Sequence, residues 1–287
     1  MKRKAQFNRI FIIQSLEEGL TGKRLYDDLK TLTFARDHVV RVELHDVFTK
    51  HELLLLLDSI PQRMDSEDLL PILHFEVHGS SNHDGIILSS RELVSWAELK
   101  TPLITINKAS QFNLIVCFAA CHGASFIKTL MPNDRSPCWA MIGPKKEIDC
   151  KSLLDDFNSM YQCILNGGTG DEAVMILNRS LPPKHAPYVY TTAESFFDLI
   201  WKAYQETSCT PEALKKRANS RLRELRRTRN SDRRKLHSRN EVIKNMREVI
   251  DPEIKHKAIS LFFMADLFPQ NWERFHLSDK LRPLPKR

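Results

Sequence analysis

Two stretches decide how this chain is read: Pro71-Ile72-Leu73-His74-Phe75-Glu76-Val77-His78-Gly79 and Phe112-Asn113-Leu114-Ile115-Val116-Cys117-Phe118-Ala119-Ala120-Cys121-His122-Gly123. Each is an apolar run of strand length that ends at an imidazole or a thiol and then meets glycine. The carboxyl ends of strands in an open α/β sheet are where chemistry collects. A thiol nucleophile needs a nearby base, and His78 with Cys121 supplies both halves.

Outward from these stretches, strand and helix patterns alternate. Strands are expected over 8–14, 39–44, 72–78, 113–120, 138–143 and 188–191. Helices are expected over 23–32, 49–60, 91–99, 124–131, 152–165, 171–179 and 193–204. Ser89 or Ser90 is the expected cap of the 91–99 helix. This alternation predicts an α/β fold, a mostly parallel six-stranded sheet with helices on both faces. After Pro211 no strand signal follows. Residues 211–249 read as one long Arg-rich helical stretch stopped by Asp251-Pro252, and Leu261, Phe262, Phe263, Met264, Leu267 and Phe268 then form a segment that must be buried. The division expected is 1–208 for the α/β domain and 209–287 for a helical basic C-terminal region.

The composition agrees with a folded enzyme-sized chain: 287 residues, 42% hydrophobic and 28% charged. No apolar run approaches the length of a membrane span. No cleavage signal follows the basic start, Met1-Lys2-Arg3-Lys4, so no secretory leader is expected. Six cysteines without paired CxxC spacing read as reduced thiols of a cytoplasmic protein. The net charge of +7 is uneven. Residues 211–247 hold fourteen Lys or Arg and four Asp or Glu, a local +10, which leaves −3 for the rest.

Strand geometry separates the chemical alternatives. At a rise of about 3.3 Å per residue, Cys117 and Cys121 in one extended strand lie roughly 13 Å apart. Zinc ligands converge at about 2.0–2.3 Å, so no metal site is expected. Neighbouring strands, in contrast, lie about 4.8 Å apart, which brings two strand ends within reach of one another. His78 is then the base and Cys121 the nucleophile, with the N–H groups of Gly79 and Cys121 as the oxyanion hole. A helix after Cys121 favours thiolate. His83, Asp84 and Ala119 are candidates to line the site. His122 adjoins the nucleophile and is expected to point elsewhere, and His45 and His74 read as structural. The competing reading is that cysteines in apolar strands simply pack, as expected for Cys117, Cys138 and Cys163. By spacing alone both readings of Cys121 stand.

The combination Phe75-Glu76-Val77-His78-Gly79 with Ala119-Ala120-Cys121-His122-Gly123, joined by Asp84-Gly85-Ile86-Ile87-Leu88 and the 91–99 helix, resembles the caspase-like cysteine peptidases, and among them the CHAT domains related to caspases and separases. The resemblance spans roughly residues 8–205 as an order of strands. It implies a caspase-like α/β/α sandwich and peptide-bond hydrolysis through an acyl-enzyme, with His78 and Cys121 as the dyad and no cofactor. It also implies a dedicated protein substrate and, in some bacterial members, work in antiviral defence or cell death. Caspases carry Gln-Ala-Cys at the nucleophile where this chain has Ala119-Ala120-Cys121, so a caspase's preference for aspartate does not carry over.

The basic segment, with Arg221, Arg223, Arg226, Arg227, Arg229, Arg233 and Arg234, has no counterpart in a minimal caspase-like unit. It reads first as a solvated amphipathic helix. The alternative is a catalytically silent fold that binds an acidic protein or nucleic acid through residues 211–247. That segment has no aromatic residue on which bases could stack.

Overall fold

A computed structural model of the chain describes residues 6–35, 40–148, 150–179, 187–227, 239–245 and 251–281. It divides into two compact units, Met1–Leu130 with Ser136–Ala193, and Met131–Arg135 with Glu194–Arg287. The break falls before the helix that begins near residue 193 and not after residue 208.

The first unit is α/β. In chain order it runs β1 (Arg9–Ser15), α1 (Thr21–Ala35), β2 (Arg41–Asp46), α2 (Lys50–Glu67), β3 (Pro71–Gly79), β4 (Gly85–Ile87), β5 (Leu93–Ser95), α3 (Trp96–Ala109), β6 (Ile115–Ala119), a 3-10 helix (Gly123–Thr129), β7 (Ala140–Pro144), α4 (Cys150–Leu165), α5 (Gly170–Leu177) and β8 (Tyr188–Thr192). The main path of the sheet is β2-β1-β3-β6-β7-β8. Every pairing along it is parallel except β7 with β8. β4 and β5 form an antiparallel extension on the end of β3, which makes eight strands in all among the described residues. The expected six strands are thus the main path, and the two short strands are additional.

The reason for the difference lies in 84–99. A helix over 91–99 capped by Ser89 or Ser90 is not what forms. Leu93–Ser95 is extended and pairs with Gly85–Ile87, and the helix begins at Trp96. Its cap is Ser95, in a reciprocal capping box with Glu98. The segment 124–131 also departs from expectation, because Gly123–Thr129 is a 3-10 helix of seven residues. It offers none of the extended α-helical dipole expected to act on Cys121.

Strand alternation sorts side chains between two helical layers. On one face Phe75 stacks on Phe118, and Trp96 of α3 meets Phe118 edge-on. On the other, His74 packs against Phe157 and Tyr161 of α4. Helices α1 and α4 pack together on that second face, and α2 packs with α3. The connection β1–α1–β2 leaves β1 on one side, while β3, β6 and β7 extend from its other side. The sheet therefore has its topological switch point between β1 and β3, the place where open α/β sheets form a crevice.

The second unit is helical among its described residues. It contains α6 (Ala193–Ser208), α7 (Pro211–Arg227), α8 (Arg239–Asn245), α9 (Asp251–Phe262), α10 (Asn271–Arg274) and α11 (Leu277–Leu281). Its core joins Phe197 to Phe262 and Phe263, with Met264, Ala265, Leu214 and Ala218 also buried. The expected burial of the 261–268 segment holds for Phe262 to Ala265, whereas Leu267 is exposed. Asp251-Pro252, expected to stop a helix, begins α9; residues 246–250 before it lie outside the described residues. Proline suits the first turn of a helix, where no backbone N–H is needed.

Candidate active site

The pairing of β3 with β6 fixes the site. The parallel register sets Ile72 beside Ile115, His74 beside Cys117 and Glu76 beside Ala119. The pairs end there: His78 is the penultimate residue of β3, while Cys121 lies two residues beyond β6, in the turn that leads to the 3-10 helix. Alternation puts His78 on the face of His74 and Glu76. His78 is exposed and Cys121 half-buried. Both line a cleft with about 470 Å³ of empty space, part of it open to solvent, that is also walled by the β1–α1 turn. Among the described residues the His78 imidazole makes no hydrogen bond. The Cys121 thiol lies 4.0 Å from the carbonyl oxygen of Ile148.

Gly79 is required by close approach. A Cβ built on it would lie 1.9 Å from the Cys121 carbonyl oxygen and 2.7 Å from its carbon. No side chain is accommodated there without moving the Cys121 backbone. The orientation of Gly79 follows from its neighbours. Ser80 N–H donates to the Gly85 carbonyl, so in this antiparallel pair the hydrogen-bonded positions are Ser80 and His78. Gly79 falls at the alternate position, with its N–H turned away from β4 and toward the β6 side.

Of the other expected lining residues, Ala119 borders the cleft, but His83 and Asp84 do not. His83 has a left-handed backbone, its carbonyl accepts from Trp96 Nε1, and its ring stacks on His122 with centroids 3.5 Å apart. Asp84 accepts from the Ser80 hydroxyl at 2.6 Å. His122 donates from Nδ1 to the Lys145 carbonyl and from its backbone to Lys146, so it faces the 145–146 segment.

The other cysteines divide by burial. Cys117 and Cys138 are fully buried, and burial pushes both thiols well above their ordinary range. Cys163 is half-buried, and desolvation also raises its thiol.

A buried polar network beneath the cleft is absent from the sequence-level expectations. His74 and Glu76, both almost wholly inaccessible, share one face of β3. His74 Nε2 lies 3.0 Å from Glu76 Oε1 and its Nδ1 3.0 Å from the Tyr161 hydroxyl, both at hydrogen-bonding distance, and Thr21 Oγ1 donates to Glu76 Oε2 at 2.7 Å. Burial, with Cys117 and Glu76 close by, pushes the Tyr161 hydroxyl well above its ordinary range. The signal was available in the sequence: two polar residues at i and i+2 inside an apolar strand must share a face and need partners. Tyr161, which lies 87 residues from His74 in the chain, could not be foreseen.

Arg223 is exposed on α7, whose Leu214 and Ala218 are buried. Arg221, Arg226 and Arg227 lie in the same helix. Arg229, Arg233 and Arg234 lie outside the described residues, as does the rest of 228–238. Among the described residues no group of three or more His, Cys, Asp or Glu could hold a metal ion, and no helix is long and apolar enough to cross a membrane. No protein-family model matches the chain, and no curated protein matches it in sequence.

Proposed function

We propose that this protein is a cytoplasmic cysteine endopeptidase with a caspase-like α/β/α sandwich of the CHAT type, acting on a dedicated protein partner. One observation carries the reading: His78 and Cys121, at and just beyond the carboxyl ends of the neighbouring strands β3 and β6, line the same cleft. His78 takes the Cys121 thiol proton, and the thiolate attacks the scissile carbonyl carbon. The N–H groups of Gly79 and Cys121 receive the developing oxyanion. The C–N bond breaks as His78 gives its proton to the leaving amine, which leaves a thioester on Cys121. Water then attacks the thioester, His78 accepts its proton, and the acid departs with the thiol restored.

A peptide bearing a thiol-directed electrophile tests this. It labels the wild type and fails to label Cys121→Ala, while His78→Ala slows labelling by on the order of 10²–10⁴. Equal labelling of wild type and Cys121→Ala overturns the proposal.

A second reading is favoured by the exposed basic positions Lys215, Lys216 and Arg223 on α7. On that reading the fold is catalytically silent and binds an acidic partner or nucleic acid. Its mark is affinity that falls steeply with salt. Absence of nucleic-acid binding at low ionic strength removes that form of it.

A further inference from the structure

The cleft has an unusual floor. Glu76 is 2% exposed and lines it directly beneath the dyad. No Lys or Arg among the described residues pairs with it. Its contacts are the His74 imidazole and the Thr21 hydroxyl. Two of the roughly four lone-pair sites of the carboxylate are thereby used. A buried carboxylate is costly to hold in a fold unless its lone pairs are satisfied.

The surroundings define what would compensate it. Glu76 precedes His78 by two residues on the same strand face, so it lies roughly 7 Å below the dyad by strand rise. Ala119 is its register partner across β6, and that short side chain keeps the space above the carboxylate open. Leu16, Val77 and Ile148 add apolar wall. Exposed Glu18 stands at the rim, and no Lys or Arg is among the residues that line the cleft. A long aliphatic stem ending in a positive charge matches apolar walls, this depth and an anionic floor. A short acidic side chain matches none of them.

We infer that the cleft receives the lysine or arginine side chain of the residue whose carbonyl Cys121 attacks, with Glu76 as the specificity-determining group at its floor. This rests on the peptidase reading of the same site. The side chain nearest the attacked carbonyl is the one that enters a cleft bordered by the nucleophile. Its cation takes the two free acceptor positions of Glu76.

The test uses the full chain and three peptide acyloxymethyl ketones that differ only in the residue at the reactive carbonyl: arginine, leucine or aspartate. Modification of Cys121 is followed by mass spectrometry. A charge-assisted hydrogen bond in a desolvated site corresponds to on the order of tenfold to hundredfold in rate. The arginine reagent is thus expected to react at least about tenfold faster than leucine, with aspartate slowest. In Glu76→Gln the arginine-to-leucine ratio falls by about tenfold or more. Because that change touches the His74 and Thr21 hydrogen bonds, Ala119→Leu provides a second variant that leaves them in place. It closes the space over Glu76, and the same ratio falls. Leucine or aspartate reacting as fast as arginine, or a ratio unchanged in both variants, overturns the specificity and leaves the peptidase standing. Failure of all three reagents to modify Cys121 overturns both.

Discussion

Gly79 and Cys121 meet backbone to backbone, which makes the glycine the most sensitive position of the site. Gly79→Ala must displace the Cys121 carbonyl, since 1.9 Å is far inside contact distance. A displacement near 1 Å in a catalytic geometry costs on the order of 10²-fold. Labelling of Cys121 in Gly79→Ala is expected to slow by about that factor, read against the wild type under identical conditions. Beneath it, Tyr161→Phe removes the only described hydrogen bond to His74 Nδ1. An orphaned buried polar group costs about 1–3 kcal/mol, measurable as a lower urea midpoint with an unchanged slope. At this scale two residues that line the cleft, His78 and Cys121, were legible, because His-Gly and Cys-x-Gly at strand ends are local patterns. Glu76 was not singled out, because its meaning depends on Thr21, Ala119 and the cleft, which only the fold assembles.

At the scale of elements, local chemistry explains both the successes and the misplaced boundaries. The α2 start was legible because helical spacing begins at Thr49, and Thr49 proves to be the N-cap, in a capping box with Glu52. Thr49→Ala is expected to cost about 1 kcal/mol of unfolding free energy in denaturant titration. The α3 start was misplaced because Ser89, Ser90 and Ser95 all qualify as caps, and only the pairing of β5 with β4 chooses Ser95. Helix α2 is also tied to the sheet by charge. Arg63 contacts the Glu43 carboxylate through two bonds of 2.8 Å, and Arg9 joins it from β1. Hydrogen bonds from Arg63, then Arg9, outweigh burial and hold Glu43 at about 2, against an ordinary value of 4.5. A carboxylate depressed in the folded state stabilises above its unfolded value and loses that contribution as pH falls toward the folded one. Stability should therefore decline between about pH 4.5 and 2, and Glu43→Gln should flatten that limb in urea titrations at stepped pH.

For the whole molecule, alternation of strands and helices was enough to read a mostly parallel sheet, since the pattern is local and repeats. The order of strands was not readable, and the dyad depended on it. The antiparallel return of β8 and the β4–β5 extension came from pairings that no periodicity encodes. In the helical unit, Phe263→Ala should remove about 3–5 kcal/mol of local stability. Hydrogen-exchange protection of residues 194–208 and 251–281 is the readout.

The register of β3 against β6 also has a consequence in time. His78 and Cys121 are one strand apart in space, yet 43 residues apart in the chain. A ribosome makes the imidazole first and the thiol seconds later, at rates of roughly 5–20 residues per second. Until β6 docks beside β3, neither residue has its neighbour, and Gly79 has no carbonyl to rest against. On the peptidase proposal, the pair can act only once the sheet has closed.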